Sequence, residues 1–137
     1  MKIKTNELTR LALNWAVAVC EGREDPIYRF APDPEDKEFD PDEDYSKYFY
    51  ISGPDRQGPY NPSTDWLQGG PIIEREGIGL DQYADYPRWQ AFTPAPERPS
   101  GQAVCNGPTP LIAAMRCYVA SKLGDTVEIP TELGESK

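Results

Sequence analysis

The chain has 137 residues, room for one domain with a conventional core but not for two. Its 14 basic and 23 acidic residues leave a net charge of −9, which argues against non-specific binding of DNA, RNA or anionic membranes. Histidine is absent, which removes Ser-His-Asp and Cys-His catalysis and every histidine-based metal site.

In chain order, a first helix is expected from Thr5 as N-cap, with Glu7 in its first turn. Leu8, Leu11, Ala12, Trp15 and Val19 follow at helical spacing, and Gly22 supplies the stop. Ile27 to Phe30 reads as a short strand. Tyr45 to Ser52, aromatic and β-branched, reads as a second, so that the two form a long-looped hairpin. Between them, Asp33, Glu35, Asp36, Glu38, Asp40, Asp42, Glu43 and Asp44 stand against the single base Lys37. This block holds −7 of the −9 and is expected as a loop or partly disordered excursion.

Ser63 is the expected cap of a second helix, with Asp65 in its first turn. Trp66, Leu67, Ile72 and Ile73 give that helix an apolar side, and Gly77 ends it. Gly69-Gly70-Pro71 predicts a kink, or two short helices meeting at the glycines, because a mid-helix proline lacks a donor and crowds the carbonyl of Leu67. Strands are expected over Ile78 to Tyr83, Trp89 to Thr93 and Gln102 to Cys105. The last helix is capped by Thr109, opens on Pro110, is covered on more than one face and stops at Gly124. Val127 to Ile129 reads as a terminal strand. The fold class is therefore α+β, a small antiparallel sheet packed with about three helices. It forms one domain over residues 1–130, with an acidic, proline-rich inserted region at 33–60 and a polar tail at 131–137.

Cys20, Cys105 and Cys117, odd in number and partly on apolar helices, read as reduced thiols of a reducing compartment. No run is long enough to span a membrane, and the first residues carry no signal-peptide pattern, so a cytoplasmic location is expected. No cofactor is expected. The run Asp40 to Asp44 opens like a calcium loop, but Tyr45 and Ile51 stand where that loop needs glycine and glutamate. Three cysteines without histidine fall short of a structural zinc set, so no metal site is expected.

The helix restart at Gly69 and Gly70 would present free N–H groups to an anion, with Arg75 one turn on and Trp66 as a stacking face. The same features serve equally as a packing kink with Trp66 in the core. Gly107 and Thr109 before the last helix offer a similar N-terminus. The candidate binding set is thus Ser63, Thr64, Asp65, Trp66, Gly69, Gly70, Arg75, Gly107 and Thr109, with no catalytic residue.

Three stretches resemble the NinX-like family of phage proteins: Pro62 to Ile78, Gly107 to Gly124, and the opening helix around Leu13, Trp15, Ala16 and Val17. The order of elements is also similar to the phage ABA sandwich domains, which implies helices packed on a small antiparallel sheet. The resemblance implies an accessory phage protein working in the cytoplasm of the infected bacterial host. By analogy of gene context it implies a counter-defence protein that sequesters an anionic nucleotide signal without cleaving it. Two other readings stand beside it. One is an acidic protein-interaction factor that meets a basic host protein with residues 33–44 and exposed Tyr45, Tyr48 and Tyr50. The other is a hydrolase that uses carboxylates alone. A homo-oligomer is expected from the small size and well-covered helices.

Overall fold

The computed structural model describes residues 1–55, 58–83 and 88–133. Among the described residues three helices, α1 (Arg10–Cys20), α2 (Trp66–Glu76) and α3 (Pro110–Leu123), accompany seven short strands. β1 (Lys2–Lys4) pairs antiparallel with β7 (Thr126–Glu128), and β2 (Ile27–Arg29) pairs antiparallel with β3 (Phe49–Ile51). β4 (Gly79–Gln82), β5 (Trp89–Pro94) and β6 (Gln102–Gly107) form an antiparallel meander in that order. The fold is α+β, as its pattern of elements predicts.

Helix α3 is the hub. Nine of its 14 residues are closed off from solvent: Leu111 and every residue from Ala113 to Ala120 are buried. Its alanines let neighbours approach closely on all sides. The meander covers one side, sending Ala91, Thr93, Ala103 and Cys105 inward while Phe92 and Val104 point away. Helices α1 and α2 pack elsewhere on α3, where Leu13, Ala16, Val17 and Ile72 join the same core.

The first helix starts later than its apolar spacing suggests. Thr5 begins a 3-10 turn (Thr5–Glu7), and α1 opens at Arg10 after Thr9. Thr5 is used otherwise: its hydroxyl donates to the Gly124 carbonyl at 2.6 Å and its N–H to that of Asp125 at 2.8 Å, tying the start of the chain to the end of α3. Strand β1 ahead of it is three residues long, too short for alternation to reveal.

Helix α2 differs in two respects. Its cap is Asp65, whose Oδ1 accepts from the Leu67 N–H at 2.9 Å. Ser63 is not free for that role, because its N–H and hydroxyl both donate to buried Asn14 Oδ1, at 3.1 and 2.7 Å. The helix also runs unbroken through Gly69-Gly70-Pro71. Leu67 and Pro71 both lie on its exposed side, where water can take the carbonyl that the proline leaves without a donor.

The remaining expectations for caps and stops match: Thr109 Oγ accepts from the Ile112 N–H at 3.1 Å, and Gly77 closes α2 with φ 65°. Residues 131–133, placed in the tail by composition, form a 3-10 turn that buries Leu133. Residues 134–137 of that tail lie outside the described residues. No helix among the described residues is long and apolar enough to cross a membrane.

Candidate functional site

The β2–β3 hairpin places the most concentrated chemistry on the surface. Alternation sends Ile27 and Ile51 into the core and Tyr28 and Tyr50, directly opposite each other in the register, to the outer face. Phe30 and Tyr48 extend that face beyond the ladder, linked by the Phe30 N–H donating to the Tyr48 carbonyl at 3.1 Å. The opposite side of β2 is clamped to the body. Arg29 closes a two-pronged pair on Glu132, at 2.8 and 2.6 Å.

Four rings beyond the strands complete a surface of packed aromatics. Tyr28 and Tyr50 stack with centroids 4.7 Å apart and planes 14° from parallel. Tyr45, in the 3-10 turn Tyr45–Lys47, leans on Phe30 at 5.7 Å and on Tyr48 at 6.0 Å. Phe39, from the middle of the acidic segment, stacks on Tyr45 at 5.5 Å, and the Tyr45 hydroxyl accepts from the Asp40 N–H at 3.0 Å. The acidic segment is thereby laid over the hairpin. Its own backbone is folded by side chains: Asp33, Asp36, Asp40 and Asp44 each accept from the N–H two residues on, at 2.9 to 3.0 Å.

Between these parts lies an open groove of about 610 Å³. Its walls are Tyr28, Phe30, Tyr45, Tyr48 and Tyr50, and Glu38, Asp40 and Glu43 reach its edge. Apolar ring faces bounded by carboxylates suit a cation, since the rings' negative faces and the carboxylates attract the same charge. Sequence reasoning names Tyr45, Tyr48 and Tyr50 but misses Tyr28, Phe30 and Phe39. The signal is available: a hairpin with Ile27 inward must turn Tyr28 and Phe30 outward.

The predicted binding set does not gather into a pocket of its own. Ser63 is buried under Asn14 and Asp65 is spent as a cap. Gly69 backs onto the Pro62 carbonyl and the Leu111 side chain, leaving no space for a ligand there. Gly107 is pressed against Ala113 and Ile112, and Thr109 caps α3. Thr64 is exposed and Trp66 is 54% exposed, which places that ring on the surface and not in the core. Gly70 and Arg75, two of the set, do share an open surface recess of about 560 Å³ with Pro71 and Glu74. Because α2 is continuous, the free N–H groups expected at a restart are absent, and the Gly69 N–H donates to the Asp65 carbonyl at 2.9 Å.

Arg75 is committed to its neighbours. Its Nη1 and Nη2 donate to Glu21 at 3.1 and 2.6 Å, its Nε to Glu76 at 2.9 Å and its Nη2 also to the Tyr118 hydroxyl at 3.3 Å. Its hydrogen bonds to Glu21 and Glu76 raise its pKa above the ordinary arginine value. Burial pushes the Glu21 carboxyl up, but its hydrogen bonds from Arg75 and Tyr118 prevail and hold it below the ordinary value. Glu76 is held low by Arg75 and also meets Lys122 at 3.3 Å. All three cysteines are unpaired thiols. Burial pushes Cys20 and Cys117 up to about 12 and Cys105 up to about 11, so none supplies a thiolate near neutral pH.

Fold and groove together define a small α+β domain that carries an acidic aromatic hairpin on a helical core. The chain belongs to the family of the bacteriophage P22 protein NinX, whose family model matches residues 4–122. The match takes in all three helices but the last residue of α3, together with the whole hairpin, and stops before β7. No curated protein matches the chain.

Proposed function

We propose that the chain is a phage accessory protein that acts by binding, without chemistry, and that its partner is a basic protein of the infected bacterium. The observation that carries this reading is the acid-edged aromatic groove, whose edge is formed by Glu38, Asp40 and Glu43 of the segment holding most of the net negative charge. Charge complementarity would steer a basic surface onto this face, and the rings would supply contact area once it arrives.

Nucleotide sequestration stands second. It needs donors aimed at an anion, and Arg75, its main candidate, is held by Glu21, Glu76 and Tyr118. The carboxylate hydrolase stands third, because Glu21 and Glu76, two largely covered carboxylates, are both engaged in ion pairs.

The test is retention of host proteins on the tagged chain, compared with a variant lacking residues 33–44. The reading requires a basic partner that is released by raised salt and lost on the deletion. A partner held equally by the deleted chain, or one indifferent to salt, would overturn it. A thermal shift with intact nucleotide recovered would instead promote the sequestration reading.

A further inference from the structure

We propose that the groove is an arginine-reading cage: it takes the guanidinium of a partner's arginine against its tyrosines and forks it to the carboxylates at its edge. This rests on the binding reading above and specifies what is recognised.

Three observations carry it. First, the ring planes are not all alike. Tyr28 and Tyr50 are nearly parallel, whereas Tyr45 stands at 45° to Phe30 and 55° to Tyr48. The groove thus offers ring faces in more than one orientation against which a cation can lie, and the choice of a guanidinium comes from the carboxylates at its edge. Second, the chain's own Lys47 already satisfies half of this arrangement. Its Nζ lies 5.4 Å from the Tyr48 ring centroid and 3.1 Å from Glu43 Oε1, and both of those residues line the groove. An ammonium held between ring and carboxylate shows what charge the site accepts, and an incoming cation would compete with it. Third, Glu38 reaches the same groove, and its carboxylate has no hydrogen-bond or ion-pair partner among the described residues. It can accept two parallel N–H bonds from a guanidinium, a match that an ammonium cannot make.

The experiment compares hexa-arginine and hexa-lysine, peptides of equal charge, by titration calorimetry at fixed salt. Tyr28→Leu, Tyr48→Leu, Glu38→Gln and Lys47→Ala variants are run alongside the intact chain, each checked for a wild-type unfolding midpoint. The expected result is tighter binding of hexa-arginine, by about fivefold or more, from stacking and bidentate bonding. That preference should vanish in Tyr48→Leu and Glu38→Gln, while Lys47→Ala should bind hexa-arginine more tightly than the intact chain does.

Equal binding of both peptides, lost only when residues 33–44 are removed, would overturn the cage and leave the acidic docking reading standing. Binding of neither peptide by a chain that still retains a basic host protein would overturn the cage alone. Binding of neither, with no basic partner retained, would overturn both. An arginine preference that survives in Tyr28→Leu and Tyr48→Leu would also remove the groove from the site.

Discussion

Arg75 on α2 and Glu21 just beyond α1 close a two-pronged ion pair, with Nη–Oε distances of 3.1 and 2.6 Å, and Tyr118 of α3 donates to the same carboxylate at 2.5 Å. One carboxylate therefore joins all three helices. The pair is half exposed on its arginine side, so its contribution is screened, yet Glu21 itself is largely covered. Arg75→Ala should lower stability by about 1 kcal/mol, or roughly 3–5 °C in Tm, with unfolding still cooperative. A thermal melt measures this directly.

The same carboxylate gives an acid-side pH dependence. Its folded pKa is depressed below the ordinary 4.5, so the unfolded chain binds the proton more readily. The stabilisation is fully present above 4.5 and is lost as pH falls through that value and then through the lower folded one. Glu76, also depressed, acts in the same direction. Urea midpoints measured down a pH series should fall in that window for the intact chain. In Glu21→Gln they should start lower and fall less steeply.

Two adjacent glycines should respond to alanine with opposite signs. A Cβ on Gly69 would strike the Pro62 carbonyl and meet Leu111 at 2.7 Å, so Gly69→Ala should cost about 1–3 kcal/mol. A Cβ on Gly70 would meet only the Trp66 ring, at 3.8 Å, an ordinary contact. Gly70→Ala should stabilise the helix by up to about 1 kcal/mol. Chemical denaturation of the two variants side by side checks both the magnitudes and the difference in sign.

Trp66→Ala separates a surface ring from a core one. With the ring 54% exposed, the change should move stability by no more than about 0.5 kcal/mol, against roughly 3–5 kcal/mol for a core tryptophan. Urea unfolding decides between them.

The strong local signals were readable from the residues. Thr109 with Pro110 starts α3, Gly77 ends α2, and the alternating apolar residues place the meander and the hairpin. What was not readable depended on distant partners. Thr5 looks like a cap until Gly124 takes its hydroxyl, and Ser63 looks like one until Asn14 does. Arg75 looks available for a phosphate until Glu21, 54 positions earlier, closes on it. The groove was half visible: its acids and three of its tyrosines stand in one stretch of sequence, but Tyr28 and Phe30 join them only through strand pairing.

The central position of α3 has a consequence for how the chain is made. The meander, α1 and α2 all pack on a helix that begins only at Pro110, and β1 waits for a partner strand that begins at Thr126. During synthesis the earlier segments therefore lack the main surface on which they bury their apolar faces, and productive folding is deferred until α3 has emerged. A stop codon shortly before residue 110 would be as damaging as one near the start. It would release a product with its sheet and helices uncovered, a substrate for proteolysis and not a shortened working protein.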